Sequence, residues 1–429
     1  LLLAVSAVQG VLAMRHSRLS INLSTHPAIN IESMNHELLI MPSQPAEWLL
    51  ARVVLMCEPN IETLFAILQK DSANFLAPFS LAKAREEHRH YRAMLEANGV
   101  TVIDVREALK AAPPADLQRW ARAAIQIVFD EALTLDEMNQ LQASLQTSVE
   151  SLDPQSLADI VLLRPTLHVR HNDDDVDRSV HFRTKYEITP ANNAYFTRDP
   201  LITTREGCVI TRLRVPVRGV ENDIAECVLQ SLGIKPLHRV QAPGTLEGGD
   251  FIPCGEFVLQ GQGLLTNEEG VRQCLEKRVY GRVEVAVVRD PRMNMDEMHL
   301  DTYFAMLDKD LAACVDTRLA GEEEPEVDVY LPEGDDTNYT HKLARTLLFS
   351  AYLKEKGITV IPFSKHEQDN FAANGLLISP RKLIGVTRAG ASFEQRLRDA
   401  GVDTHFIPFD ALTGGYGGPH CSSQVLLRG

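Results

Sequence analysis

Four short polar clusters, far apart in the chain, carry the residue types needed for covalent chemistry on a planar cation. The last is Gly417-Gly-Pro-His-Cys421, where glycines permit unusual backbone and leave a thiol open to close approach. A thiol attacks only as a thiolate, which needs a positive neighbour; alone, such a cysteine reads as a small buried hydrophobe. The other clusters are Phe196-Thr-Arg-Asp199, Glu247-Gly-Gly-Asp250 and His299-Leu-Asp301. Taken singly they read as a strand-end ion pair, a turn, and a surface or capping pair. Taken together they supply a thiol, an imidazole and several carboxylates. Asp199 and Asp301 can each accept the paired hydrogen bonds of one guanidinium edge. Cys421 then attacks the central carbon, His299 protonates the departing nitrogen and later activates a water, and Glu247 orients the imidazole. Gly248, Gly249, Gly417 and Gly418 let main chain come close to the ligand. This chemistry requires no metal or organic cofactor. A rival reading of the same side chains is a zinc or iron site built from His299, Asp301, Glu247, Asp250 and Cys421.

Such clusters must be positioned by regular elements, and from Asn193 onward the chain repeats its pattern. Each cluster precedes a strand-turn-strand signal: Leu201–Thr204 with Val209–Arg212, Phe251-Ile with Phe257–Leu259, and Tyr303–Leu307 with Leu311–Cys314. The stretch Asn370–Asn374 precedes another, Leu376–Ser379 with Leu383–Val386, and the terminal cluster precedes Val425-Leu-Leu. Helix-like segments lie between them at Ile224–Leu232, Asn267–Lys277, Thr340–Lys356 and Phe393–Ala400. Units of strand, strand, helix and strand are expected to pack radially, which would bring the clusters to one axis.

Upstream, Ala51–Cys57 reads as a strand, Phe75–Asn98 as a charged helix and Val100–Val105 as a second strand. His88 and His90 lie two apart on that helix and so face different ways, on what reads as a solvated surface. From Arg106 to Leu163 the pattern is helical, with Leu117, Trp120, Ala121, Ala124 and Ile127 at helical spacing, which predicts an inserted helical subdomain. The acidic run Asp173–Asp177 lacks the alternating ligands of a calcium loop and reads as a solvated loop.

The 429 residues suffice for a large core, and a net charge of -15 argues against nucleic acid or an anionic membrane as partner. Seven cysteines without a CxxC pair fit a reducing compartment, so a cytoplasmic location is expected. The segment Leu1–Ile31 has no acidic residue, which leaves a mitochondrial or other organellar presequence as the alternative. No apolar run reaches membrane-spanning length. Residues 1–45 are expected to lie outside the fold, residues 46–429 to form the catalytic domain, and 106–163 to be the insert within it.

The motifs Asn193-Asn-Ala-Tyr-Phe-Thr-Arg-Asp-Pro200, Leu246-Glu-Gly-Gly-Asp250, Met298-His-Leu-Asp-Thr302 and Gly417-Gly-Pro-His-Cys421 resemble the signatures of arginine deiminases, within the wider guanidine-modifying superfamily. The resemblance runs from about Val53 to the C-terminus. It implies a five-bladed α/β-propeller and a Cys421 nucleophile served by His299, Glu247, Asp199 and Asp301. It also places Asn193 and Phe196 beside the substrate and Arg218 on its α-carboxylate. Two further arginines of the pattern are replaced by Tyr416 and by Leu264-Leu265, with Arg272 a possible substitute. The implied reaction is hydrolysis of L-arginine to citrulline and ammonia in a homo-oligomer. A dihydrolase releasing ornithine and two ammonia, a hydrolase of agmatine or methylarginine, and an arginine-binding sensor stand as alternatives.

Overall fold

The computed structural model describes residues 40–67, 80–172 and 181–429. The presequence-like Leu1–Ile31, the start of the helix expected from Phe75 and the acidic run at Asp173 lie outside the described residues. Among the described residues, alternating apolar strands and intervening helices assemble into six sheets: one, of Gln126–Phe129, Pro165–His171 and Phe182–Ile188, lies in and just after the region expected to be inserted, and five lie outside it with a common plan. In each, a middle strand pairs antiparallel with one neighbour and parallel with another. The parallel partner must be reached by a crossover, and a helix supplies it.

In the first of these sheets the antiparallel pair Leu201–Thr203 and Cys208–Ile210 is joined by His238–Arg239, after the helix Gly219–Ser231. Phe251–Cys254, Phe257–Gln262 and Glu284–Arg289 repeat the plan around the helix Glu268–Glu276. Phe304–Asp308, Leu311–Val315 and Thr359–Phe363 form the next sheet, and Leu376–Ser379, Lys382–Val386 and Asp403–Ile407 another. The last joins distant parts of the chain: Ala51–Met56 pairs parallel with Thr101–Asp104 and antiparallel with Gln424–Arg428. The residues that fill the core come largely from these middle strands, among them Val54, Leu259, Ala312 and Ile384.

Several local expectations change. Gln126–Phe129, within the segment read as helical, is a strand that pairs parallel with Pro165–His171. Its alternating Ile127 and Phe129 suit a half-covered sheet as well as the helical spacing that was read into them. Helices Pro114–Ala124, Leu135–Glu150 and Pro154–Leu163 flank it. Tyr339–Leu348 is likewise a strand, paired antiparallel with Glu326–Gly334, and only Phe349–Glu355 is helical. That hairpin adds to Glu284–Arg289 of the neighbouring sheet through Glu326–Gly334, and pairing within the hairpin overrides local helix propensity in Tyr339–Leu348. Residues 43–45 do not stand outside the fold: Ser43 N–H donates to Leu426 O, Gln44 N–H to Thr204 O, and Pro45 O accepts from Gly255 N–H. These are backbone contacts, which apolar periodicity does not signal. His88 is buried rather than solvated, whereas His90 is exposed.

The helix Leu81–Ala97, capped by Ser80 Oγ on Lys83 N–H, supports the C-terminal cluster. Its Glu87 accepts hydrogen bonds from Ala411 N–H at 2.9 Å and Leu412 N–H at 3.2 Å. Its Tyr91 hydroxyl lies 3.1 Å from both Pro419 O and Ser423 Oγ. Among the described residues no helix is long and apolar enough to cross a membrane.

Candidate active site

The polar clusters sit where chain enters a hairpin, and two of them fold as single 3₁₀ turns, Gly248–Asp250 and Leu300–Thr302. In each turn the residue before it, Glu247 or His299, is extended and buried. Asp250 ties one turn to the other by accepting Leu300 N–H at 2.9 Å. The result is a buried contact between His299 Nε2 and Glu247 Oε2 of 3.1 Å. Glu247 Oε1 is held in turn by Arg214 N–H at 2.9 Å. Since Nε2 is engaged, the free ring nitrogen is Nδ1, 4.0 Å from Asp199 Oδ1. A Cβ on Gly249 would stand 2.7 Å from Nδ1 and 2.9 Å from Asp301 Oδ1, so only glycine leaves both atoms accessible.

Cys421 is buried, with Sγ 3.5 Å from Asp301 Oδ2. Asn374 shapes its loop: Oδ1 accepts Gly418 N–H at 2.7 Å and Cys421 N–H at 3.3 Å, while Nδ2 donates to Asp301 O at 3.1 Å. Gly418 also gives its carbonyl to Ser422 N–H, so both of its backbone polar groups are used within the loop. The same oxygen of Asp301 that faces the sulfur lies 2.7 Å from His420 Nδ1. Phe196 is buried against Tyr195, ring centroids 4.1 Å apart, and packs on Gly417. Asn193 is buried with Oδ1 unpartnered, and so are Asp199 Oδ1 and Asp301 Oδ1. A buried carboxylate oxygen without a donor is costly, and a ligand with several N–H groups would satisfy these atoms.

Arg218 does not stand free for a carboxylate ligand. Its Nη2 is 2.9 Å from Asp199 Oδ2 and 2.7 Å from Glu221 Oε2, and its Nη1 is 3.9 Å from Glu247 Oε2.

The charges follow from this packing. Burial opposes protonation of His299, but the Glu247 hydrogen bond and the fields of Asp199, Asp250 and Glu247 outweigh it and lift the imidazole to about 10. Burial, with Asp301 and Asp199 nearby, pushes the Cys421 thiol well above its usual range. Burial raises the Asp301 carboxyl, yet the His420 hydrogen bond and the fields of His420, His299 and Arg198 hold it below the ordinary range. For Asp199, burial prevails over Arg218 and His299 and the carboxyl is raised. Among the described residues, Asp199, Glu247 and His299 place ligand atoms within 4.8 Å of one another. Arg218 holds Asp199 Oδ2 and the imidazole hydrogen bond engages His299 Nε2 and Glu247 Oε2, which leaves Asp199 Oδ1 and His299 Nδ1, and Asp301, Asp250 and Cys421 do not join the set. The metal reading therefore has little room here.

The arginine deiminase family model matches residues 74–428. The chain belongs to the arginine deiminase family. An arginine deiminase of Halobacterium salinarum is 26% identical, the match covering 89% of this chain and 96% of that protein. One from Latilactobacillus sakei is 25% identical over 81% of this chain and 88% of its own. Solved structures with the same fold include the Pseudomonas aeruginosa dimethylarginine dimethylaminohydrolase, with TM-score 0.51, 16% identity and 87% and 99% coverage of the two chains. The N-terminal domain of an arginine dihydrolase from cyanobacteria has TM-score 0.52 at 12% identity, covering 88% of this chain and 97% of that one. The α/β architecture of mixed sheets is thus shared with these solved structures.

Within this arginine deiminase fold, sequence reasoning missed Asn374, His420, Glu47 and Glu221. Asn374 had a signal, since the Asn370–Asn374 cluster stands where the other clusters stand. His420 sat in plain view beside Cys421. Glu47 had none, because a lone carboxylate ahead of the first strand carries no local sign that it reaches the site region. Of the residues set apart as departures, Tyr416 takes a left-handed conformation with φ 74 at the end of the turn Leu412–Gly415. Its hydroxyl is raised by burial and by the fields of Asp296 and Asp369. Leu265 is buried, and Arg272 is bound to Glu269 and Glu276 on an exposed helix face.

Proposed function

We propose that this protein hydrolyses L-arginine to L-citrulline and ammonia through a covalent adduct on Cys421. The observation that carries this reading is the pair of buried, unpartnered carboxylate oxygens, Asp199 Oδ1 and Asp301 Oδ1, beside His299 Nδ1 and the Cys421 sulfur. A guanidinium seated on both carboxylates brings the positive charge that the thiol lacks in the empty site. The thiol then gives up its proton to solvent and the thiolate attacks the guanidinium carbon. His299, already protonated, gives its proton to one terminal nitrogen, which departs as ammonia and leaves an S-alkylthiouronium. The neutral imidazole removes a proton from water, the resulting hydroxide adds to the same carbon, and the C–S bond breaks to free the thiolate, while the proton left on the new hydroxyl passes to the released ammonia or solvent to give the ureido group. Glu247 keeps the ring oriented and stabilises its charged form in both halves. Asn193 and Phe196 bound the substrate, and Gly418 shapes the loop that carries the nucleophile. Arg218 meets the substrate α-carboxylate after leaving Asp199, whose place the incoming guanidinium takes.

The reading extends to the whole chain. Five sheets of one plan, one of them joining distant parts of the chain, support a five-bladed propeller spanning residues 46–429 with an insert at 106–163, preceded by an extension within residues 1–45. Net charge and unpaired cysteines support a cytoplasmic homo-oligomer acting on a small cationic substrate, without nucleic acid or membrane as partner. The test is incubation with L-arginine, agmatine and methylarginines, with citrulline, ornithine and ammonia measured separately. Citrulline and ammonia in equal amounts, lost in Cys421→Ala, are expected. Ammonia release undiminished by that substitution would overturn the mechanism, and ornithine as main product would move the assignment to a dihydrolase.

A further inference from the structure

The site contains a second Glu–His pair. His299 faces Glu247 at 3.1 Å and Asp199 at 4.0 Å. On the other side of the nucleophile, His420 faces Asp301 at 2.7 Å through Nδ1 and Glu47 at 3.6 Å through Nε2. Both ring nitrogens thus point at carboxylates. A neutral ring satisfies one such contact, and a doubly protonated ring donates to both. Glu47 is itself fixed by Arg428 at 2.9 Å, by the Gln44 side-chain amide at 2.7 Å and, more distantly, by Arg198 at 3.7 Å. Arg198 also donates from Nε to His420 O at 3.4 Å. His420 is 6% exposed and Glu47 4%, and the cavity beside them is lined by both, Asp301, Ile252, Phe304 and Leu377. Such a pair keeps its geometry without bulk water to compete for its hydrogen bonds.

We infer that His420, oriented by Glu47, is a positioning residue that binds Asp301 Oδ2 and thereby keeps Asp301 turned so that Oδ1 receives the substrate guanidinium. The carboxylate has two oxygens, and their roles divide: Oδ2 meets His420 and the Cys421 sulfur, while Oδ1 is left without a partner. Without His420, Asp301 is free to rotate about its side chain and to offer either oxygen, and the cation loses a fixed grip next to the sulfur. The inference rests on the reading that Asp301 grips the guanidinium, yet it can be tested without turnover.

The experiment compares alkylation of Cys421 by 2-chloroacetamidine, a cation shaped like a guanidinium, with alkylation by neutral iodoacetamide, in the full chain. Wild-type protein is expected to prefer the cation. In His420→Leu that preference falls at least about tenfold, the order set by one hydrogen bond to a charged group, while the iodoacetamide rate changes little. His420→Asn, whose amide can replace the Nδ1 donor, retains most of the preference. Glu47→Gln, which touches no reacting atom, loses part of it in the same direction and serves if the leucine variant does not fold. An unchanged preference in both His420→Leu and Glu47→Gln, or in Glu47→Gln where the leucine variant cannot be obtained folded, overturns the inference. If wild-type protein releases no ammonia from arginine, the functional reading fails by itself, and the alkylation ratio still decides the role of His420.

Discussion

Each titrating residue at the site has its charge set by neighbours rather than by its own chemistry. His299 is lifted to about 10 against an ordinary 6.5, so it is an acid at neutral pH, which suits it to expel an amine but not to deprotonate the thiol. Glu247→Gln removes the carboxylate charge that favours the protonated imidazole. The alkaline limb of the kcat profile is expected to move to lower pH and kcat at neutral pH to fall about 10²-fold, measured as citrulline formed across pH 6 to 10. The same shift bears on stability. A group whose folded pKa is raised stabilises the fold fully below its ordinary value and loses that contribution as pH climbs to the raised one. Unfolding by denaturant should therefore show a His299-dependent loss of stability between about pH 6.5 and 10, absent in His299→Gln.

At the scale of elements, the turns do the positioning. Gly248–Asp250 and Leu300–Thr302 are each one turn long, and their contact puts Glu247 under His299. Gly249→Ala directs a Cβ at His299 Nδ1 and Asp301 Oδ1. Activity is expected to fall at least about 10²-fold with circular dichroism unchanged, since a misplacement near 1 Å at reacting atoms costs that much. Retained activity would mean that the turn relaxes. These turns were legible as clusters before hairpins, because Gly-Gly and His-x-Asp interrupt strong strand patterns. The strands Gln126–Phe129 and Tyr339–Leu348 were not, since their short apolar spacing fits a helix equally well until a partner strand, distant for the first and the adjacent hairpin arm for the second, chooses. The roles proposed for Asp199, Glu247, His299, Asp301 and Cys421 rest on residue type and on the recurrence of their clusters before hairpins. The tie of Arg218 to Asp199 and Glu221 was not legible in the sequence, because ion-pair partners depend on side-chain direction in the assembled fold.

At the scale of the whole molecule, distant parts of the chain are joined by a clasp in which Ala51–Met56 lies between Thr101–Asp104 and Gln424–Arg428. Arg428 is fully covered there, paired with Glu47 and donating to Leu49 O and Leu377 O at 2.8 Å each. Removing one partner of such a pair strands the other's charge. Arg428→Leu is expected to lower unfolding free energy by about 3–5 kcal/mol in urea titration. A change under about 1 kcal/mol would show that Glu47 is adequately held by Gln44 and Arg198 alone. Since Glu47 also backs His420, the clasp links global stability to the grip on the ligand.

The place Arg218 takes has a consequence for selection among guanidines. Arg218 already places a guanidinium on Asp199 Oδ2, so on the proposed reading substrate binding exchanges one cation for another. Net charge at Asp199 is unchanged, and affinity should depend only weakly on ionic strength, in contrast to a bare anionic cleft. The exchange also sets an account that the ligand must settle: a guanidine bearing a carboxylate gives the displaced Arg218 a new partner, and one without it leaves that arginine half paired on Glu221. A preference for amino acids over simple amines then arises from what is evicted, with no second arginine needed at Tyr416 or Leu265.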